Sequence, residues 1–189
     1  MTTEEIFAEI SAHQIKGVML HAQMSECFDF LNLCGWKKLH KHRMCEELKD
    51  YCRIRAFYIC EYGVLLQDKK TEDPAVIPTS WHGKARSDVD ASTKRRAVRD
   101  KIRQWVDWEK ETKKLYESYY TQLGYLSDAT AMQMLCDMIC ETSEEVKMAE
   151  KMLLELEDVD YDMCTIYQMQ NAAIEKLRKR LGIFLAFCI

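Results

Sequence analysis

Glu109 sits in the middle of an apolar helical face, where a carboxylate is either paired inside the protein or used for chemistry. Its stretch, 93–123, contains no Gly or Pro. At helical spacing it puts Val98, Ile102, Trp105, Thr112, Tyr116, Tyr119 and Leu123 on one stripe. His21 falls on the stripe of a second long helix, with His13 earlier on the same face. If four such helices form a bundle, one level near its middle gathers His21, Asp50, Glu109 and Glu145. Glu47, Tyr51 and Glu141 then lie a turn or less away. One imidazole among carboxylates is a ligand shell for iron, manganese or zinc, and all four residues would touch the ion. The same groups also read as an inert buried network in which His21 pairs with Glu109 or Glu145. His13 reads as a core histidine.

The elements that must position these groups follow from the apolar pattern. Helix one covers 3–33, with Ile6, Ile10, Gly17, Met24, Phe28 and Leu31 as its stripe. Thr3 is the expected cap, and Glu4 and Glu5 suit its positive end. Gly35 is the expected breaker, giving a short turn and an antiparallel neighbour. Helix two covers 37–66, carried by Leu39, Leu48, Cys52, Ile59 and Leu66. The segment 67–92 holds Pro74 and Pro78, the only prolines, and is long for a loop inside a compact domain. A crossover running the length of a bundle accounts for it. Helix three covers 93–123. Helix four covers 128–157 with Leu135, Met138, Thr142, Val146, Ala149 and Leu156, and Glu145 at the margin. A fifth helix over 165–187 is polar until Arg180 and ends in LGIFLAFCI.

Length and composition agree with this plan. A chain of 189 residues with two prolines and six glycines reads as one all-α domain, 1–189. A net charge of −4 gives no overall attraction to nucleic acid. Two basic runs, Lys37–Lys38–Lys41–Arg43 and Lys94–Arg95–Arg96–Arg99–Lys101–Arg103, lie at helix N-termini, the wrong end for cations. The acidic residues of 155–162 fall at the same end of the bundle and neutralise them, so nucleic acid is not the expected partner. Nine cysteines, an odd number, most of them where helical thiols would be buried, read as free thiols rather than disulfides. Together with an N-terminus that looks like a capped helix, they predict a cytoplasmic protein. No stretch is apolar enough to span a bilayer, and no nucleophile elbow, phosphate-binding Gly loop or zinc-protease motif occurs. The terminal apolar strip, with Ile183, Phe184, Leu185, Phe187 and Ile189, is expected to pack against another subunit and make a homo-oligomer.

Two helical hairpins joined by a long crossover and followed by a shorter helix resemble the ferritin-like superfamily. The strings HQIKGVMLHAQMSECFDFLNLCGWKK and IPTSW…DVDASTKRRAVRDKIRQWVDWEKETKKLY look like a ferritin-like group from anaerobic Gram-positive bacteria and their prophages. The resemblance implies an up-down four-helix bundle with a long crossover between helices two and three, iron or another divalent metal as cofactor, and self-assembly. Any turnover would be oxidation of bound iron by oxygen or peroxide. The carboxylate di-iron pattern puts a Glu on each of two helices and Glu-x-x-His on each of the others, and no Glu-x-x-His occurs here. Nor does the first-helix His-Trp motif of the starvation-induced DNA-binding relatives. Two readings therefore stand: a metal-binding ferritin-like protein with a degenerate site, or a non-catalytic scaffold acting through itself or a protein partner.

Overall fold

The computed structural model describes residues 1–181, apart from the side chains of 173, 174 and 176–181. Five α-helices account for most of it: α1 (Thr3–Phe30), α2 (Cys34–Tyr62), α3 (Ala91–Leu126), α4 (Ala129–Asp158) and α5 (Met163–Leu181). There is no strand among the described residues. α1 packs mainly on α2 and α3 mainly on α4; α1 also meets α3, and α5 lies on α2. The arrangement is an all-α bundle of two hairpins joined by a crossover, 63–90, as the sequence led us to expect.

Polar caps set the helix ends. Thr2, one residue before the expected cap, forms a capping box with Glu5: its Oγ1 accepts from Glu5 N (3.2 Å), and Glu5 Oε2 accepts from Thr2 N (2.8 Å). Asp90 caps α3 and Asp128 caps α4, each through its carboxylate. Asp128 also accepts from Tyr62 Oη and Thr3 Oγ1, which ties the end of α2 and the start of α1 to the α3–α4 turn.

The first turn differs from the expectation. The left-handed residue is Asn32 (φ +61°), while Gly35 lies inside α2. Gly35 is used for closeness instead. A Cβ there would come within 2.5 Å of the Gln170 carbonyl oxygen, and Gly35 N donates to Gln170 Oε1 at 3.0 Å. The glycine that looked like a helix stop is where α5 docks. α2 itself ends at Tyr62, four residues before the expected boundary, and is capped by Gly63 (φ +71°).

The crossover is pinned to α1 and α3. Gln23 accepts from Val76 N and donates to Asp73, the Lys101 ammonium donates to the Val76 carbonyl, and Trp81 packs on Phe30. Lys101 thus belongs to the interior and leaves the basic run. Of the remaining cations, Arg103 meets Glu157 at 2.9 Å, within the acidic segment, and Lys37 meets Asp29 at 3.0 Å.

Two expectations for side-chain direction need correction. The core face of α2 is built from Trp36, Leu39, His40, Arg43, Glu47, Ile54 and Tyr58, whereas Leu48 and Ile59 are each 44% exposed. Cys27 is buried, but Cys34, Cys52, Cys60, Cys136, Cys140 and Cys164 are exposed free thiols. For the α2 residues among these the cause is shared. The middle of the α2 core face is polar, so an apolar stripe drawn through Leu48 and Cys52 is out of phase with it.

The core is correspondingly divided. One apolar cluster holds Met24, Phe28, Trp36, Ile102, Trp105 and Leu156; the other holds Ile6, Ile10, Ile54, Tyr58, Tyr116 and Leu135. Along every helix of the bundle, the level between them carries buried polar groups: Gln14 and His21; His40, Arg43 and Glu47; Glu109 and Thr112; and Thr142. The apolar strip at 183–189 lies outside the described residues.

Candidate metal centre

The polar layer is organised about Arg43. Its guanidinium, 4% exposed, meets Glu109 Oε1 at 2.9 Å, Glu145 Oε1 at 2.7 Å and Glu46 Oε2 at 2.6 Å. Arginine stays charged in such a place and its fork can serve several carboxylates at once. α2 therefore puts a fixed cation among acids from its own helix, α3 and α4.

Beside it lies a second constellation. His21, Glu47 and Glu109 each offer one donor atom, and these atoms all lie within 4.8 Å of one another. His21 Nε2 is 3.8 Å from Glu47 Oε1. That nitrogen is buried and has no hydrogen-bond partner. Two tryptophans orient the carboxylates: Trp105 Nε1 donates to Glu109 Oε1 (2.7 Å) and Trp108 Nε1 to Glu47 Oε1 (3.2 Å). Gly17 leaves the room that Glu47 needs, since a Cβ there would sit 2.7 Å from Glu47 Cδ and 2.9 Å from Trp108 Cζ2.

The sequence-derived residues separate on this geometry. His21 and Glu109 converge. Glu145 is held by Arg43, and Asp50 sits to one side near Arg53, at 4.0 Å. Neither is in the group whose donors converge. Glu47 was expected only as a neighbour of the site, Arg43 only as part of a basic run, and His40 not at all. The signal for them was a polar stripe at 40, 43 and 47, spaced three and four residues apart on one helical face.

Burial sets the charge states. His21 is pushed well below its ordinary pKa by burial, with His40 and Arg43 adding to the effect. Burial raises Glu47 well above the usual carboxylate range, and Glu109 adds to that. Burial lifts Glu109 to about 7 although Arg43 pulls the other way. Burial, then Glu141 and Glu145, brings Asp50 up to about 6. The layer thus offers a neutral imidazole and carboxyl groups that are costly to ionise without a further cation.

Three donors spread evenly round one ion at about 2.1 Å lie about 3.4–3.6 Å apart. His21, Glu47 and Glu109, whose donor atoms lie within 4.8 Å of one another, would draw together to hold one divalent ion, and the partnerless His21 Nε2 fits that use. They do not fit two ions. Glu109 and Glu145 already share the Arg43 cation.

No family model and no curated protein matches the sequence. Solved structures do match the fold. An open-pore ferritin from the hyperthermophilic archaeon Archaeoglobus fulgidus superposes with a TM-score of 0.75 at 16% identity, over 92% of this chain and 97% of that one. The fold is that of the ferritins. A humanized archaeal ferritin gives 0.71 at 16% identity, over 90% and 93% of the two chains. A variant of the ferritin PmFTN, in a crystal soaked in iron, gives 0.73 at 9% identity over 89% and 96%. On this fold, the central layer draws groups from each helix of the bundle, among them His21 from α1, Glu47 from α2, Glu109 from α3 and, through Arg43, Glu145 from α4. No helix of the described residues is long and apolar enough to cross a membrane.

His13 borders the layer without joining it. Its ring stacks on Trp108 with centroids 4.1 Å apart, and its Nε2 is 2.7 Å from Thr112 Oγ1. Burial, with Lys16 nearby, pushes its pKa down to about 4. A base whose folded pKa lies below its unfolded value contributes fully above about pH 6.5 and loses that contribution as pH falls toward the folded value. Between pH 7 and 5, wild-type protein is expected to lose about 2 kcal/mol more than a His13→Gln variant, measured by urea unfolding at both pH values. Parallel losses in the two proteins would show that His13 is not held neutral by the fold.

Proposed function

We propose that this ferritin-fold protein binds a single divalent ion, iron in the first instance, through His21, Glu47 and Glu109. The observation that carries this reading is the buried, partnerless His21 Nε2 beside two buried carboxyl groups. Arg43 takes the electrostatic place of a second ion, so the reading is one ion per chain and not a pair. Bound iron would supply redox chemistry. The chain itself holds the ligands: Trp105 and Trp108 fix the carboxylates, and Gly17 admits Glu47. Asp50 and Glu145 stand outside the proposed ligand set. Binding would take protons from Glu47 and Glu109, so affinity rises with pH.

The test is elemental analysis of full-length protein purified without chelator and loaded with ferrous iron in the absence of air. About one ion per chain is expected, and His21→Ala should lower occupancy at least tenfold while the helical circular dichroism stays. Equal occupancy in the variant, or two ions per chain in the wild type, would overturn the reading. A specific observation favours the second reading, a metal-free scaffold: Arg43 already neutralises Glu109 and Glu145. No bound metal at any loading is its signature.

We also propose self-association, supported by the apolar composition of 183–189. Removal of 181–189 is then expected to lower the mass measured by light scattering over a concentration series. A monomeric full-length protein at high micromolar concentration would sink the idea.

A further inference from the structure

His40 is fully buried and faces His21: the two Nδ1 atoms are 3.0 Å apart, and the ring centroids 5.3 Å. Both rings are fully buried, and two Nδ1 atoms 3.0 Å apart cannot both carry a hydrogen. Between two neutral imidazoles a hydrogen bond of this kind has a direction, because one Nδ1 carries the proton and the other supplies the lone pair. Whichever way it runs, it also fixes the state of both Nε2 atoms, each of which is buried and partnerless.

We propose that His40 is a positioning residue: its Nδ1 accepts from His21 Nδ1–H and thereby presents the bare His21 Nε2 lone pair to Glu47 and Glu109. Two features of the surroundings choose this direction. In the opposite one, His21 Nε2 would carry a hydrogen whose nearest carboxylate oxygen, Glu47 Oε1, is 3.8 Å away and already accepts from Trp108. Buried donors without an acceptor are rarer and costlier than acceptors without a donor. At the other end, the hydrogen moves to His40 Nε2, on a ring set edgewise to Trp105 at 5.2 Å, with an interplanar angle of 77°. Aromatic faces carry negative potential and tolerate an N–H far better than a lone pair. The outcome is that metal ligation needs no tautomer change: the nitrogen facing the carboxyl groups is the one without a proton.

The metal part of this inference rests on the single-ion reading, whereas the tautomer part stands without it. Long-range nitrogen–proton NMR of the metal-free wild type, with imidazole nitrogens assigned, reads the tautomers directly. His21 is expected protonated at Nδ1 and bare at Nε2, with His40 protonated at Nε2; the reverse pattern overturns the proposal. His40→Phe keeps the ring contacts and removes the acceptor, so His21 is expected to shift toward its Nε2–H form. His40→Gln restores an acceptor and is expected to restore the wild-type pattern. An unchanged His21 spectrum in His40→Phe overturns the assignment of cause. In zinc titrations, His40→Phe should bind roughly 10–100-fold more weakly, with most of the loss recovered in His40→Gln. If His40→Phe binds zinc as the wild type does, the positioning role is refuted. If the wild type binds no zinc, the single-ion reading fails, and the NMR pattern still decides which way the histidine pair is ordered.

Discussion

Replacing Arg43 with Met is expected to destabilise the protein by about 3–5 kcal/mol at neutral pH, the cost of stranding a buried charge partner. Three carboxylates lose their common cation in one step, and Glu109 is 1% exposed. The deficit has a pH signature. Without Arg43 the folded-state pKa of Glu109 rises further above its unfolded value. The variant is therefore closest to wild type in acid and falls away as pH rises above the wild-type Glu109 value of about 7. It also has a metal signature. A divalent cation at 100 times its dissociation constant would return about 2.7 kcal/mol. The stoichiometry should rise above one, because the carboxylates that Arg43 occupied become ligands. Urea unfolding across pH, with and without Mn²⁺, measures all of this. A variant as stable as wild type without added cation would mean that Arg43 does not neutralise a buried acidic layer.

The second large effect is expected at Trp105. Its side chain is fully buried, meets the edges of both histidines, and donates to Glu109. Trp105→Ala should cost about 3–5 kcal/mol from lost packing alone. Trp105→Phe separates the two roles. It keeps most of the apolar contact and removes the indole N–H, leaving Glu109 Oε1 with Arg43 as its remaining donor. We expect a smaller loss, about 1–2 kcal/mol, which shrinks when Glu109 is also changed to Gln, as a double-mutant cycle would show. Equal costs for Trp105→Phe in the two backgrounds would mean that the hydrogen bond carries no coupling.

Both expectations come from a feature that bundle architecture does not require. A helical bundle can be filled from end to end with apolar side chains. Here the two apolar clusters are separated by a level of histidine, arginine, glutamate and glutamine. Such a layer costs desolvation and is kept together only if its members satisfy one another. In this chain they nearly do. The exceptions among the described side chains include Gln14 Oε1, both histidine Nε2 atoms and Arg43 Nε, all in or beside the layer.

The sequence by itself determined the helices, the long crossover and the place of Glu109. Each of these rests on local or periodic information. Proline and glycine punctuate the chain sparsely, polar residues cap the helix ends, and the α1 and α3 stripes are apolar enough to fix their phase. His21 and Glu109 were legible as buried polar residues because each interrupts an otherwise apolar stripe. The α2 face was not legible in this way. Its central positions, His40, Arg43 and Glu47, are polar, so hydrophobic periodicity pointed to Leu48 and Cys52 instead. Only the tertiary structure could turn α2, because the groups that hold its face inward lie on the other helices: Glu109 and Glu145 for Arg43, Trp108 for Glu47, and His21 for His40. Gly35 makes the same point at smaller scale. A glycine near a turn reads as a helix stop, and what it does here depends on Gln170, 135 positions along the chain. Charge pairing and close approach between distant residues have no period in the sequence, and that is why they became visible only once the helices were packed.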